Sequence, residues 1–354
     1  MNFGDCMVKD LCFEIIESCP NECKFCSSNS CIDKRQIISF DDFKRVIDYF
    51  LKNGGIEELS LSGGEPFLHP ELLKMVEYVK SLNIRTVIFT SGVKRTLSLN
   101  EEEIELYIEK MNRELDEIEK NEPWNERLKN NIKNYYENLI NKPSFSPITK
   151  QELNILKSMG LDKIVFDCQA YEPETDEYLM GRNHQKHLCL LNSLLNASTV
   201  GLDTDAHFIP LKPNYKEIPD ILEMLEIAGI NNISILKFVP QGRGLRNIDK
   251  LMLSDNELME FIKLLEDSRK IYSGNIRIGI PLMGDDKHKC NAGLEKLDIK
   301  FDGTVLPCPA FKELDAETMK KYGIKHYSIY ENLEEVKTPG GKRVEPLCRK
   351  IYYK

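Results

Sequence analysis

Cys19-Pro20-Asn21-Glu22-Cys23-Lys24-Phe25-Cys26 places three thiols within eight residues, just after Leu11 to Ile16, an apolar run that reads as a short β-strand. After it, Phe40, Phe43, Val46, Ile47, Phe50 and Leu51 recur at helical spacing, with Ser39 as N-cap and Gly54 as the stop. The unit is strand, cysteine loop, helix. In α/β folds the loops beyond the strands' C-terminal ends are where ligands bind. A structural zinc site asks for four ligands, commonly two paired knuckles, whereas this loop supplies three. Three thiolates hold a cubane iron-sulfur cluster with one iron left open. A zinc site completed by Cys31 or a distant residue, or a set of buried unligated thiols, are the alternatives.

The same rhythm continues outward. Glu58 to Ser62 is a second strand ending in Gly63-Gly64-Glu65-Pro66, where two glycines let backbone approach a ligand and the carboxylate can accept hydrogen bonds from an ammonium group. Further strands are expected at Thr86–Thr90, Lys163–Cys168, Thr204–Leu211 and Ile233–Val239, with helices at Glu71–Leu82, Thr149–Met159, Gln185–Leu195 and Glu217–Ala228. Strands alternating with helices predict an α/β fold with a parallel sheet and right-handed crossovers.

CxxxCxxC with an aromatic before its last cysteine, followed one strand later by GGEP, resembles the radical S-adenosylmethionine (SAM) superfamily. Phe89-Thr90-Ser91-Gly92 resembles that family's T-N-G turn with Ser91 in place of Asn, and Pro240-Gln-Gly-Arg243 resembles its P-x-G-R element. The resemblance covers about residues 1–245 less one insertion and implies a partial (β/α)6 TIM-like barrel. It also implies a [4Fe-4S] cluster on Cys19, Cys23 and Cys26 that binds SAM. Gly63, Gly64, Glu65 and Pro66 would meet the methionyl ammonium, Phe25 the adenine, and Ser91 and Asp167 the nucleoside or methionyl end. Arg243, at the rim after the sixth strand, would pair with a carboxylate of SAM or substrate. The chemistry implied is reductive cleavage of SAM to a 5′-deoxyadenosyl radical that abstracts hydrogen from a C–H bond.

Residues 94–148 exceed what one barrel connection needs. Glu101–Lys120 and Asn125–Leu139, broken at Pro123, read as a helical hairpin that is either a solvated decoration or a lid carrying Trp124. Residues 246–285 read as a connecting helix, Ser254–Ile271, and a strand, Asn275–Ile280. In 286–354, Cys290 and Cys308 flank two short strands, Leu297–Phe301 and one beginning at Thr304, joined by Asp302-Gly303, a hairpin signal. The spacing C-x12-G-x4-C resembles the start of the SPASM and twitch extensions, a small β-hairpin domain binding auxiliary [4Fe-4S] clusters. Only Cys348 remains beyond it, so one auxiliary cluster is expected on Cys290, Cys308 and Cys348. Its fourth position would be open, or filled by a non-cysteine residue, by Cys6 or by substrate. Zinc or unligated thiols are the alternatives.

Composition narrows the classes. The 354 residues carry 57 acidic against 48 basic side chains, net −9, without a basic stripe, which argues against nucleic acid as a partner. No apolar run approaches the ~18 residues of a membrane span, and no secretory h-region opens the chain, so a cytoplasmic setting with reduced thiols is expected. No peptide-recognition domain is expected in the short stretch before Cys19. Cys168, closing the fourth strand, is either a small core residue or a hydrogen-atom donor at the barrel mouth. Cys12 and Cys189 read as core, and His184 and His187 as ordinary helix-face residues. The expected enzyme acts on a peptide, with a nucleotide, sugar or cofactor precursor as the second substrate class and a flavodoxin or ferredoxin as electron donor. A non-catalytic iron-sulfur or zinc sensing protein is the alternative of another class.

Overall fold

In the computed structural model, which describes residues 7–95, 101–141, 145–279, 290–343 and 346–352, the unit around the cysteines is β1 (Val8–Ile16) and α1 (Phe40–Lys52). Ser39 caps α1 by accepting from Asp42 N, and Asp41 and Asp42 sit favourably at the positive end of the helix dipole. The helix buries Phe43, Val46, Ile47 and Phe50, and the Phe43 ring lies 5.3 Å from that of Phe13 on β1. Each such side chain contributes about 1.5–3 kcal/mol by leaving water.

The chain continues through β2 (Ile56–Gly63), α2 (Leu72–Ser81), β3 (Arg85–Thr90), β4 (Val93–Arg95), α3 (Glu101–Asn121), α4 (Glu126–Asn141) and β5 (Phe145–Pro147). Then come α5 (Lys150–Ser158), β6 (Lys163–Asp167), α6 (Pro173–Met180), α7 (His184–Val200), β7 (Thr204–Phe208), α8 (Ile218–Ile227) and β8 (Asn232–Ile235). The C-terminal part holds α9 (Arg243–Arg246), α10 (Ile248–Leu251), α11 (Asp255–Arg269), β9 (Asn275–Ile278), β10 (Lys296–Ile299), β11 (Thr304–Leu306), α12 (Ala316–Lys321), β12 (Tyr327–Ser328) and α13 (Leu347–Tyr352).

The six expected strands lie side by side as β1-β2-β3-β6-β7-β8, all parallel, the partial barrel that the motifs imply. The sheet extends at both ends. β9 adds a parallel strand to β8, while β10 pairs in parallel with β1 and carries the antiparallel β11 and β12. The boundary expected at 245–285 is therefore crossed by one continuous sheet, because the Asp302-Gly303 hairpin uses the open edge of β1. That edge satisfies hydrogen-bonding groups that would otherwise stay unpaired.

Alternation sorts the strands' two faces. Leu11, Phe13, Ile15, Leu59, Leu61, Ile88, Ile164, Phe166, Ala206, Phe208, Ile233, Leu297 and Ile299 belong to the core that the helices cover. The opposite face, turned into the barrel, carries Cys12, Glu14, Ser60, Phe89, Asp167, His207, Ser234 and Asp298. So polar an interior is suited to a polar guest rather than to packing.

Residues 94–146 form a second compact unit, within two residues of the expected insertion. It is a helical hairpin in which Tyr136 donates to Glu114 (2.6 Å) and Ile118 and Tyr136 are buried, while Trp124 is 77% exposed. No helix among the described residues is long and apolar enough to cross a membrane.

Candidate active site

The cysteine loop is held from three sides. Glu22 N and Lys24 N donate to the carbonyls of Met180 and Leu179 at the end of α6, and Lys186 Nζ donates to Pro20 O at 2.6 Å. Arg243 closes the third side, its Nε donating to Cys23 O (2.8 Å) and Nη2 to Ser30 O (2.6 Å), with its own backbone N donating to Cys26 O. Gly242 has φ +53°, and a Cβ there would fall 2.7 Å from the carbonyls of Cys26 and Ser27. Arg243 therefore clamps the loop through its Nε, Nη2 and backbone N. The reason is proximity: the turn after β8 delivers it onto the loop carbonyls.

Cys19 is buried and Cys23 and Cys26 half-buried. Burial pushes the Cys19 thiol well up from its ordinary value, and Cys23, Glu65 and Cys26 add to the effect; burial and Cys26 raise Cys23 likewise. Two buried thiols that resist ionising, with Cys26 beside them, fit a site completed by cationic iron. Asn21 and Ser30 of the same loop are buried with side-chain polar atoms that find no partner among the described residues, as expected beside a group the protein binds. Phe25 packs with Phe238, Leu179 and Leu251.

The GGEP edge differs from expectation in its detail. A Cβ on Gly63 would lie 2.4 Å from Ile16 O and one on Gly64 2.1 Å from Ser18 O, so these glycines let the end of β2 press against the backbone leading into Cys19. Glu65 is fully buried and does not offer a free carboxylate to an ammonium. It accepts from Thr90 Oγ1 (2.8 Å), Phe67 N (3.2 Å), Ser91 N (2.8 Å) and Ser91 Oγ (2.7 Å), tying GGEP to the Thr90-Ser91-Gly92 turn. Burial raises it to about 7 against the pull of those donors. Pro66 is buried as the first residue of a short 3-10 turn.

Beneath Ser91 lies a network that sequence reading missed. Arg182 is wholly buried and donates to Asp176 Oδ1 (2.8 Å), to Ser91 O (2.9 Å) and to Asp167 O (3.1 Å). His187 Nδ1 stands 2.8 Å from Asp176 Oδ2, so His187 is a buried pairing residue and not an ordinary helix-face one, whereas His184 is exposed. Burial opposes ionisation of Asp176, but Arg182 and His187 hold its carboxyl below the usual range. The available signal was the punctuation of α6, with Pro173 in its first turn and the left-handed Gly181 at its end. Asp167 faces the interior opposite His207, and burial raises it to about 6.

Cys168 is fully buried in the helix-side core with Phe166 and Leu190, one residue out of phase with Asp167. That is the place of a small core residue, and burial raises its thiol to about 12. Cys189 is buried as expected, and Cys12 is buried on the interior face.

Cys290, Cys308 and Cys348 come together in one cluster with Ala310, Phe311 and Tyr352. Cys348 feels Cys290, and Cys308 feels Cys348; burial pushes Cys308 up to about 12. Cys6 lies outside the described residues. Among the described residues no three Cys, His, Asp or Glu side chains converge on a single-ion site. A surface hollow of about 530 Å³ between α1 and the turn at 329–334 contains none of the site residues.

A family model for the radical SAM superfamily matches residues 13–141. PqqA peptide cyclase of Bradyrhizobium diazoefficiens is 22% identical over 320 residues, spanning 87% of this chain and 69% of that protein. GTP 3′,8-cyclase of Streptomyces coelicolor is 33% identical over 94 residues, 25% of this chain and 28% of that one. Crystal structures of Streptococcus suis SuiB superpose with TM-score 0.60 in the SAM-bound form (15% identity, 93% of this chain, 65% of SuiB) and 0.61 in the form bound to its precursor peptide SuiA (16%, 92% and 63%). This chain thus spans under two thirds of SuiB's length. With the cysteine loop, the GGEP edge and the sheet order in agreement, residues 13–141 are a radical SAM domain, and the chain as a whole, its C-terminal region included, matches the fold of SuiB.

Proposed function

We propose that the chain cleaves SAM reductively and turns the radical onto a C–H bond of a peptide. The observation that carries this reading is the gathering of two separate thiol groups at one barrel, Cys19, Cys23 and Cys26 after β1, and Cys290, Cys308 and Cys348 beyond β10. When bound, a [4Fe-4S] cluster and SAM supply a 5′-deoxyadenosyl radical, and the second thiol group would hold an auxiliary [4Fe-4S] cluster. The chain's own part is positional. Arg243, Lys186 and the end of α6 fix the cysteine loop, the Glu65–Ser91 link fixes the two rims beside it, and Arg182 braces those rims from below. Apolar packing of Phe25 and Phe238 keeps water from that side of the mouth. A peptide is favoured because PqqA peptide cyclase acts on one by name and SuiB is seen with SuiA. The match to GTP 3′,8-cyclase favours a nucleotide as the second reading.

The test is anaerobic. Reconstituted protein is expected to hold about eight irons and a Cys290/Cys308/Cys348→Ala variant about four. The reduced wild type releases 5′-deoxyadenosine from SAM, and Cys23→Ala does not. A fully loaded wild type that leaves SAM intact, with candidate peptides and GTP present, would overturn the assignment. Stimulation by GTP alone would select the nucleotide.

A further inference from the structure

One polar group inside the barrel is used by nothing described above. β10 runs parallel to β1 with Asp298 opposite Cys12, and because Leu297, Ile299, Leu11 and Phe13 face the helices, Asp298, Cys12 and Glu14 face inward together. Lys312, four residues after Cys308, reaches back across them. Its Nζ lies 2.6 Å from Glu14 Oε1 and 3.3 Å from Ser28 Oγ, and Ser28 Oγ also donates to Glu14 Oε1 at 2.6 Å. One oxygen of Glu14 is thus doubly satisfied.

The other three carboxylate oxygens are not. Asp298 is 0% and Glu14 1% exposed, yet Asp298 Oδ1, Asp298 Oδ2 and Glu14 Oε2 find no hydrogen-bond partner among the described residues, the Cys12 thiol being only a weak donor. The charge is unbalanced too. Asp10, Glu14 and Asp298 share two cations, Lys296 paired with Asp10 and Lys312 with Glu14, which leaves Asp298 without an ion-pair partner of its own among the described residues. A buried carboxylate without a counter-charge is costly, and water can satisfy its lone pairs but not its charge.

We infer that the β1–β10 wall is a substrate subsite for an alkylammonium group, a lysine side chain or free amine, held by Asp298 and Glu14 between the two thiol groups. One ammonium brings the missing unit of charge and three N–H donors for three vacant acceptors. Lys312 sets the strength of the site, since it competes for the same carboxylates. The inference rests on the reading of the interior as a substrate chamber and adds to it a substrate class.

The test uses the reconstituted full chain without SAM or reductant, so its result is independent of SAM cleavage. Titration calorimetry with n-butylammonium is expected to give saturable binding, with n-butanol at least about tenfold weaker. Asp298→Asn should weaken n-butylammonium about tenfold or more. Lys312→Gln, which leaves the carboxylates without a cation, should tighten it several-fold, a direction that simple damage to the fold does not produce. If Asp298→Asn does not fold, Lys312→Gln decides. Equal binding of n-butanol, no binding at all, or weakening by Lys312→Gln would overturn the subsite and leave water or a retained proton as what satisfies Asp298.

Discussion

Glu65 shows two physical demands opposed in one side chain: four donors converge on its carboxylate, while complete burial resists its ionisation and raises it to about 7. A carboxyl whose folded value lies above its unfolded one stabilises the fold at low pH, and that contribution is lost as pH rises from about 4.5 through 7. In Glu65→Gln the side chain no longer titrates. At pH 5 the protonated acid and the amide each carry donor and acceptor, and the variant is expected to cost about 1 kcal/mol or less. By pH 8.5 only the wild type has lost its retained proton, so the variant should be the more stable by about 1–3 kcal/mol. Urea unfolding of the cluster-free protein at the two pH values measures the difference, and a variant still less stable at pH 8.5 would mean that the donors outweigh burial. At this scale the sequence makes residue types legible and their partners not. Cys19, Cys23 and Cys26 stand out by spacing alone, but whether Glu65 or Arg243 faces a ligand or its own chain depends on what lies opposite, which no local pattern encodes. Cys168 stayed open between core residue and rim thiol for a related reason, since a one-residue change of phase at a strand end reverses the face it occupies.

Between the two thiol groups, residues 239–247 act as a single brace. Val239 packs beside Cys290, Cys308 and Cys348. The Gln241 side chain donates to Pro309 O and accepts from Glu313 N, which fixes the turn after Cys308. Two residues on, Arg243 holds Cys23 O and Ser30 O, and Asn247 donates to Lys24 O. Replacing Arg243 by Lys keeps the charge but loses the fork that reaches two carbonyls at once. With hydrogen bonds from a charged donor worth about 1.5–3 kcal/mol each, retention of iron by Cys19, Cys23 and Cys26 should fall about tenfold or more. Iron per chain after desalting against a chelator measures this in the Cys290/Cys308/Cys348→Ala background, with circular dichroism unchanged. Retention equal to wild type would assign the clamp no part in cluster binding. The P-x-G-R pattern pointed at this segment, and periodicity located all six central strands and their main helices to within a few residues. What it did not reveal was pairing: that β10 would take the free edge of β1 is a contact between segments almost three hundred residues apart, decided by sheet completion rather than by either segment's composition.

Over the whole molecule the chain divides into a barrel unit and the inserted hairpin at 94–146. The barrel side of the junction is pinned by one residue. Ser193 on α7 donates to Gly92 O (2.6 Å) and accepts from Ile148 N (2.9 Å), so the two ends between which the insertion runs are tied to the same hydroxyl. Ends already held together can be rejoined by a short linker without moving either. Shortening a connection of roughly fifty residues to about four also lowers its closure entropy, by about 2 kcal/mol in the limit of a flexible loop. The exchange also removes packing internal to the hairpin, such as the Tyr136–Glu114 bond. Replacing residues 94–146 with Gly-Ser-Gly-Ser is therefore expected to leave the thermal midpoint within a few degrees and the iron content at about eight. A Ser193→Ala change in the full-length chain should instead lower stability by about 1–3 kcal/mol, because it leaves Ile148 N and Gly92 O unsatisfied in a buried place. Thermal unfolding followed by circular dichroism compares the three proteins. If the shortened chain loses its iron or melts far below the wild type, the barrel depends on the hairpin and the two units are one folding entity. If it keeps both, the hairpin is free to serve the substrate, and the rate of 5′-deoxyadenosine release with and without peptide, measured on the same shortened chain, reads that role directly.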